Sequence, residues 1–299
     1  MTGWLVVNAD DLGVSRGATL GVLEAHQAGI VTSASLAVTT SHYEHALASC
    51  VRVSPDLGVG LHFTLTSGKP VSDARLVPLL VDANGYFCLR FTSLFAAAVR
   101  GQADLLHQIE TELDAQVGRL VGDGVRPDHI DGERHVHLIP GIFERVANAA
   151  RRHGIPYVRA GRDLGGRLLR PANAAGVVMG GGLVKSWLLT ALSARHRRLL
   201  GNGLRSADYV ASYLHTGRTG LFLDRLLGLP PVSGVTEVMV HPGIPEESRG
   251  SALGNPELER YVGSVDRRAE LQACVAAKGR TGAWRLTNYR RLAAEPTAP

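Results

Sequence analysis

Residues 4–13 read WLVVNADDLG and contain the pattern on which the fold prediction depends. An apolar run ends at Asn8, two adjacent carboxylates follow at Asp10 and Asp11, and Gly13 comes soon after. This order predicts a buried strand with polar side chains at its carboxyl end. Neighbouring residues of an extended chain point to opposite faces, so we expect the two carboxylates to do different jobs, one of which is to hold a cation.

Outward from this strand, strand-like and helix-like segments alternate along most of the chain. The expected strands are 5–8, 34–38, 58–62, 129–131, 156–159 and 235–240, and the expected helices are 15–27, 41–53, 102–121, 140–153 and 256–278. Residues 66–100 carry turn signals and look irregular. The alternation predicts an α/β fold with a mainly parallel sheet, open or closed into a barrel, and a single domain over residues 1–299.

The composition is that of an ordinary globular protein, with 45% hydrophobic and 20% charged residues. The three cysteines, Cys50, Cys88 and Cys274, are far apart, which argues against a disulfide framework and against a thiolate metal site. The chain starts directly with a strand and shows no signal-peptide pattern, so we expect a cytoplasmic location. The net charge of +5 permits an anionic partner, but no motif indicates nucleic-acid binding.

Polar side chains follow four of the predicted strands at their carboxyl ends. In addition to the first pair, these ends provide His62 in GLHF, His241 in EVMVHPG, and Asp131, Glu133, His135 and His137 in HIDGERHVH. Loops at this end of the strands build the functional site in α/β folds. A single histidine is usually structural, but four such ends predict a site for Zn²⁺ or another divalent ion, with three protein ligands and one open position.

The stretches NADDLG, VTSASLAV, GLHFTLTSGKP, HVHLIP and EVMVHPG occur in this order and together resemble the YdjC-like carbohydrate deacetylases, which include the chitooligosaccharide deacetylases. The resemblance extends from about residue 4 to AWRLTNYRRL and covers most of the chain. It implies a distorted (β/α) barrel that removes N-acetyl groups from amino sugars with one divalent metal ion, Zn²⁺ or Mg²⁺. The sequence is most similar to the hopanoid-biosynthesis-associated branch called HpnK, which implies an N-acetylglucosaminyl hopanoid as the substrate.

The resemblance also implies roles for the first carboxylates and for the metal ligands. Asp11 is expected to ligate the metal, Asp10 to act as general base, and His62 to be the second ligand. At the third ligand position the family usually has histidine, in D-S-H-x-H-V-H, whereas this chain has Glu133. Either Glu133 ligates the ion, or His135 or His137 replaces it, or the metal binds weakly.

Two further residues have roles that follow from family position and residue type. His241 is the candidate general acid, which would protonate the departing amine. Arg159 is expected either to orient Asp10 or to form an ion pair with Asp163. If the chain is extended around Val136, His135 and His137 point the same way, and one of them can hydrogen-bond to a metal ligand and hold it in place.

Residues 174–194 read AAGVVMGGGLVKSWLLTALSA, in which only Lys185 is charged. They belong to a predicted apolar helical insert of about residues 166–216. A membrane-spanning helix and a buried core helix are both alternatives, since the segment is nearly long enough to span but is rich in glycine. The hypothesis carried forward is peripheral contact of residues 174–198 with the inner membrane face, with Leu188 and Leu189 facing lipid and basic residues from Arg195 to Arg198 facing headgroups.

The sequence therefore favours a metal-dependent N-deacetylase for an amino sugar, expected to be lipid-linked. Two alternatives within the same fold are a chitooligosaccharide deacetylase and a metal-deficient protein that only binds sugar or lipid. The second alternative rests on Glu133, which stands where the family usually has a histidine ligand. A phosphoesterase lacks the support of a Gly-rich phosphate loop. A homodimer is a further hypothesis.

Overall fold

The computed structural model describes residues 3–168, 182–201 and 203–294. Its strands are β1 (Gly3–Leu12), β2 (Ser33–Leu36), β3 (Gly58–Phe63), β4 (His129–Gly132), β5 (Tyr157–Val158), β6 (Arg162–Asp163), β7 (Tyr209–Ala211), β8 (Gly234–Val240) and β9 (Arg285–Thr287). The order in the sheet is β5-β4-β3-β2-β1-β8-β7-β6, and every pairing along it between described strands is parallel.

β1 is the central strand, and it has three neighbours. It pairs with β8 from Gly3 to Ala9, with β9 from Trp4 to Val6, and with β2 from Asn8 onward. The chain near Arg205 pairs in parallel with β5 at Tyr157, so the two ends of the sheet approach each other as the sheet curls. The predicted α/β fold with a barrel-like parallel sheet is confirmed.

Helices cover the outside of the curled sheet. They are α1 (Arg16–Gln27), α2 (Tyr43–Ala46), α3 (Phe91–Val99), α4 (Ala103–Gly122), α5 (Ile142–Arg152), α6 (Gly165–Leu168), α7 (Gly182–His196), α8 (Leu223–Gly228), α9 (Pro256–Val262), α10 (Val265–Ala276) and α11 (Tyr289–Ala294). α1 begins where the sequence predicts, because the Ser15 hydroxyl accepts a hydrogen bond from the Ala18 amide over 3.0 Å.

Three predicted segments differ from the structure. The expected helix 41–53 is a short α2 followed by a π-helical turn, Leu47–Val51. The expected helix 256–278 breaks into α9 and α10 around Gly263, where glycine disfavours helix continuation. Residues 66–100, expected to be irregular, contain α3, whose apolar sequence packs Leu94 into the core.

The segment predicted to be an insert lies only partly within the described residues. Residues 169–181 fall outside them, so the prediction for 174–194 can be followed only from residue 182, where α7 begins. Leu189 and Leu192 of α7 are buried in the main core, whereas Val184 and Trp187 are exposed. Over the three described ranges, no helix is both long enough and apolar enough to cross a membrane.

Candidate metal centre and cleft

A backbone irregularity at the end of β1 turns both carboxylates of the NADDLG stretch into one cleft. The pairing of β1 with β2 shifts register between Ala9 and Leu12, and Asp11 has a φ of 66°. Simple alternation would place Asp10 and Asp11 on opposite faces, and that expectation is wrong because the bulge adds a residue to the strand. Asp is one of the few residues that tolerate the left-handed region, and such conformations cluster at functional sites.

His62, at the end of β3, is held between two carboxylates. Its Nδ1 donates to Asp131 Oδ1 over 2.7 Å, and its Nε2 lies 3.2 Å from Asp11 Oδ1. Burial lowers the pKa of His62, but Asp131 and Asp11 outweigh burial and raise it well above its usual value. A carboxylate on Nδ1 fixes the ring and increases the basicity of Nε2, as is usual for histidines that bind metals.

Arg159, which follows β5, is fully buried among three carboxylates. Its two terminal nitrogens contact the two oxygens of Asp10 at 2.7 Å each, and the guanidinium also lies 2.6 Å from Asp131 and 2.6 Å from Glu237. The predicted contact with Asp10 is therefore present. Asp163, the alternative partner, accepts a hydrogen bond from Ser186.

This ion pair determines the state of Asp10. Burial raises the pKa of Asp10, but the Arg159 charge and its hydrogen bonds outweigh burial and leave the pKa well below the usual value. The Asn8 amide also donates to Asp10 Oδ1 over 2.8 Å. Asp10 is thus ionised and fixed in orientation, and its affinity for a proton is reduced.

Glu133 begins a tight turn after β4 and is buried in the same cleft. Its Oε2 accepts a hydrogen bond from the Thr66 hydroxyl over 2.6 Å, whereas its Oε1 has no hydrogen-bond partner among the described residues. Burial raises the pKa of Glu133. A buried carboxylate oxygen without a partner is costly unless a ligand satisfies it.

The two histidines of the same turn differ in their surroundings. Glu133–Leu138 is a 3₁₀ turn in which Arg134 and His135 have positive φ, so the chain is not extended here and the condition for His135 and His137 to point the same way is not met. His135 lines the cleft, and burial and nearby cations lower its pKa well below the usual value. His137 instead donates from Nε2 to the Arg159 carbonyl over 3.0 Å, so this nitrogen is occupied.

His241, directly after β8, approaches the cleft from the side of α1 and α10. Glu270 of α10 accepts a hydrogen bond from the His241 amide over 2.6 Å, and the same oxygen lies 3.6 Å from Nδ1. The loop after His241 packs so closely on α1 that a Cβ added to Gly21 would lie 2.4 Å from the Gly243 Cα. Glycine at position 21 therefore allows the approach that places His241.

The cleft has a volume of about 590 Å³ and an excess of negative charge at its floor. The guanidinium of Arg159 and the imidazoles of His62 and His241 face five buried carboxylates, which are Asp10, Asp11, Asp131, Glu133 and Glu237. The walls are mostly apolar and include Phe91, Leu188, Met239 and Tyr261. Uncompensated buried negative charge favours a bound cation.

A group that can hold such a cation is present. Over the described residues, one ligand atom each from Asp10, His62 and Asp131 lie within 4.8 Å of one another. Carboxylate and imidazole donors suit a divalent ion. The chemistry of the floor therefore fits a divalent metal ion.

A sequence model described as YdjC-like protein matches residues 4–280. The chain belongs to the YdjC-like family. It is 44% identical over 156 residues to a carbohydrate deacetylase of Geobacillus stearothermophilus, a match that covers 52% of this chain and 59% of that protein. It is 43% identical over 157 residues to a chitooligosaccharide deacetylase of Proteus mirabilis, covering 52% and 58%. The chain thus spans less than two thirds of the length of these relatives.

A crystal structure from Enterococcus faecalis V583, named for cellobiose-phosphate cleavage, superposes on this YdjC-like chain with a TM-score of 0.67 and 24% identity. The superposition covers 98% of this chain and 99% of the other. At this level of identity the likeness concerns the fold alone. It agrees with the barrel-like arrangement of parallel strands.

The sequence of this YdjC-like chain predicted most of the charged residues that line the cleft, but it did not predict several of the residues that hold them in place. Asp10, Asp11, His62, Glu133 and His241 do line one cleft. The partners Glu237 and Glu270 were not predicted, because each becomes relevant only through contact with a residue far away in the sequence. Asp131 was noted at a strand end, but its bond to His62 required β3 and β4 to be neighbours.

Proposed function

We propose that this chain is a metal-dependent hydrolase that removes the acetyl group from an N-acetylglucosamine-type amino sugar. The observation that carries the proposal is the arrangement of Asp11 Oδ1, 3.2 Å from His62 Nε2, in a cleft that also contains the unsatisfied Glu133 Oε1. The names of the matched relatives support sugar deacetylation.

Two sets of side chains compete for the ion, and we favour Asp11, His62 and Glu133. In the other set, the oxygens of Asp10 and Asp131 already contact the Arg159 guanidinium, which would repel a cation at close range. Asp131 also holds the Nδ1 proton of His62. Asp131 therefore supports a ligand instead of being one.

The roles of the remaining residues follow from their contacts. A bound divalent ion would supply Lewis acidity toward the amide carbonyl. Asp10, held by Arg159 and Asn8, would orient the attacking water and accept its proton, because a bound divalent ion would make that water acidic enough for a weakly basic carboxylate. His241, backed by Glu270, would protonate the departing amine. A carboxylate as the third ligand is compatible with both Zn²⁺ and Mg²⁺, whereas an imidazole favours Zn²⁺, so Glu133 shifts the balance toward the harder ion.

We also propose that the sugar is linked to a lipid, as in the HpnK branch, and that the protein reaches it by peripheral contact with the inner face of the membrane. The support is α7, where Trp187 is 73% exposed and Val184, 72% exposed, is continuous with the apolar cleft wall at Leu188. Exposed apolar side chains beside a cleft suit a hydrophobic aglycone and the surface that holds it.

The test is metal analysis combined with a deacetylation assay. Protein purified without chelator should contain about one divalent ion per chain, and it should release acetate from an N-acetylglucosamine oligomer only while the ion is bound. The same assay on a glycolipid that carries N-acetylglucosamine tests the lipid linkage. Sugar binding without acetate release at any metal concentration would favour the metal-deficient binding protein and refute the hydrolase.

A further inference from the structure

The first half of α7 places its charged residue where a surface helix normally buries apolar ones. Leu183 and Trp187 are 45% and 73% exposed, whereas Lys185 is half-buried and lines the cleft. Surface helices usually keep lysine in water and turn apolar side chains inward. The long lysine stem reaches solvent from most partly buried positions. The inward position of Lys185 therefore calls for a function.

The Lys185 ammonium has one hydrogen-bond partner among the described residues. Its Nζ donates to Thr216 Oγ1 over 3.0 Å, and the Thr216 hydroxyl itself lies 3.0 Å from the Ser212 carbonyl, to which it donates. An ammonium has three N–H donors, so two donors of Lys185 have no hydrogen-bond partner among the described residues. No carboxylate of a described residue lies within 4.0 Å of Nζ.

The charged and titratable neighbours of Lys185 do not supply a counter-charge. Burial lowers the pKa of Lys185 to about 8, and repulsion by Arg134 adds to the effect. Arg134 is itself paired with Glu257 at 3.0 Å. The nearby His135 side chain lines the same cleft and, as an imidazole, supplies no negative charge. Among the residues that the structure describes, Lys185 is therefore a cation of the cleft wall without a counter-charge.

We propose that Lys185 and Thr216 form a subsite for an anionic oxygen group, a phosphate or a carboxylate, that the substrate carries in addition to its acetamido group. The inference rests on the proposed function, since both groups would occupy the same cleft, and it favours a sugar or lipid carrier with an anionic group over a neutral N-acetylglucosaminyl hopanoid. The anion would replace the missing counter-charge and accept the two remaining N–H donors. Charge-assisted hydrogen bonds of this kind are about twice as strong as neutral ones.

Binding can be measured without catalysis. The chain has only three lysines, Lys69, Lys185 and Lys278, so protein labelled with ¹³Cε,¹⁵Nζ-lysine gives a spectrum that single variants can assign. In metal-free protein, the Lys185 signal should titrate near pH 8. N-acetylglucosamine 6-phosphate or N-acetylmuramic acid should raise that pKa, and neutral N-acetylglucosamine should not. Absence of a shift with both anionic sugars would overturn the proposal. An equal shift with acetate at the same concentration would also overturn it, because the sugar would then contribute nothing to binding.

Turnover by the metal-loaded protein provides the second measurement. Lys185→Met should lower kcat/KM for the anionic sugar relative to the neutral sugar about tenfold or more, as expected for hydrogen bonds to a charged group. Lys185→Arg should restore most of this preference, and Lys278→Met on the surface should leave it unchanged. If Lys185→Met affected both sugars equally, the residue would not recognise an anion. If no sugar were hydrolysed while the NMR shift persisted, the proposed function would fail and the subsite would stand.

Discussion

Glu133 differs from the other carboxylates that line the cleft, because among the described residues one of its oxygens is buried without a partner. Glu133→Ala should therefore weaken metal binding by at least about 10- to 100-fold, since even outer-shell partners contribute that much. Glu133→His should restore affinity by returning the usual family ligand. Isothermal titration with Zn²⁺ and Mg²⁺ measures both effects.

The matched control is Glu257→Ala. This substitution removes another carboxylate that lines the cleft, and that carboxylate forms a salt bridge with Arg134 near the surface. This variant should bind metal as the wild type does. Unchanged affinity in Glu133→Ala would transfer the ligand role to His135 or His137, because each has a buried Nδ1 without a hydrogen-bond partner among the described residues.

Asp10 and His241 lie on two sides of the cleft, and each is supported by a charged residue from another element. We expect Asp10→Asn and His241→Ala to lower kcat by a factor on the order of 10² or more. Metal content should be nearly unchanged, because neither residue is an assigned ligand. Steady-state kinetics beside elemental analysis separate the two effects, and wild-type turnover in Asp10→Asn would refute the base assignment.

At the scale of the helix, the structure changes which residues of α7 can meet a lipid. Leu188 and Leu189 are the lipid-facing residues expected from the sequence, but Leu189 is only 2% exposed in the core and Leu188 packs against that core. The expectation is wrong for Leu189, because the helix turns that side chain toward the barrel. Val184 and Trp187 are the exposed pair.

Replacing Val184 and Trp187 with Ser should weaken co-sedimentation with anionic liposomes several-fold, because their apolar area contributes about 25 cal/mol per Å² when buried. Activity on a glycolipid should fall with it, and activity on a soluble N-acetylglucosamine oligomer should survive. Val265→Ser removes an equally exposed apolar side chain from α10 and should change neither. Equal binding by the double variant and the wild type would reject the lipid contact.

For the whole molecule, the excess of buried carboxylates predicts that a divalent ion stabilises the fold. An ion at 100 times its Kd should add about 2.7 kcal/mol to the free energy of unfolding, which is a rise of roughly 5 °C in Tm. Differential scanning calorimetry with and without Zn²⁺ or Mg²⁺ measures this rise. Asp11→Asn should abolish the response, and a rise that persisted in this variant would place the ion elsewhere.

The sequence by itself determined six of the nine described strands and the end of the sheet at which polar groups gather. Apolar strands that alternate with amphipathic helices have few packing solutions other than a parallel α/β sheet. The polar residues at strand ends, such as Asp10, Asp11 and His62, could be identified because each follows a local apolar run. Short motifs in the sequence also predicted membership of the YdjC-like family, and the match over residues 4–280 confirms it.

Only the tertiary structure decided how these groups are paired. Arg159 meets Asp10 across 149 positions of sequence, and His62 meets Asp131 across 69. The bulge that turns Asp11 into the cleft depends on the pairing of β1 with β2. The inward position of Lys185 likewise depends on how α7 packs against the barrel. Local patterns specify periodicity and burial, whereas pairings between distant residues arise from strand order, which no short stretch of sequence contains.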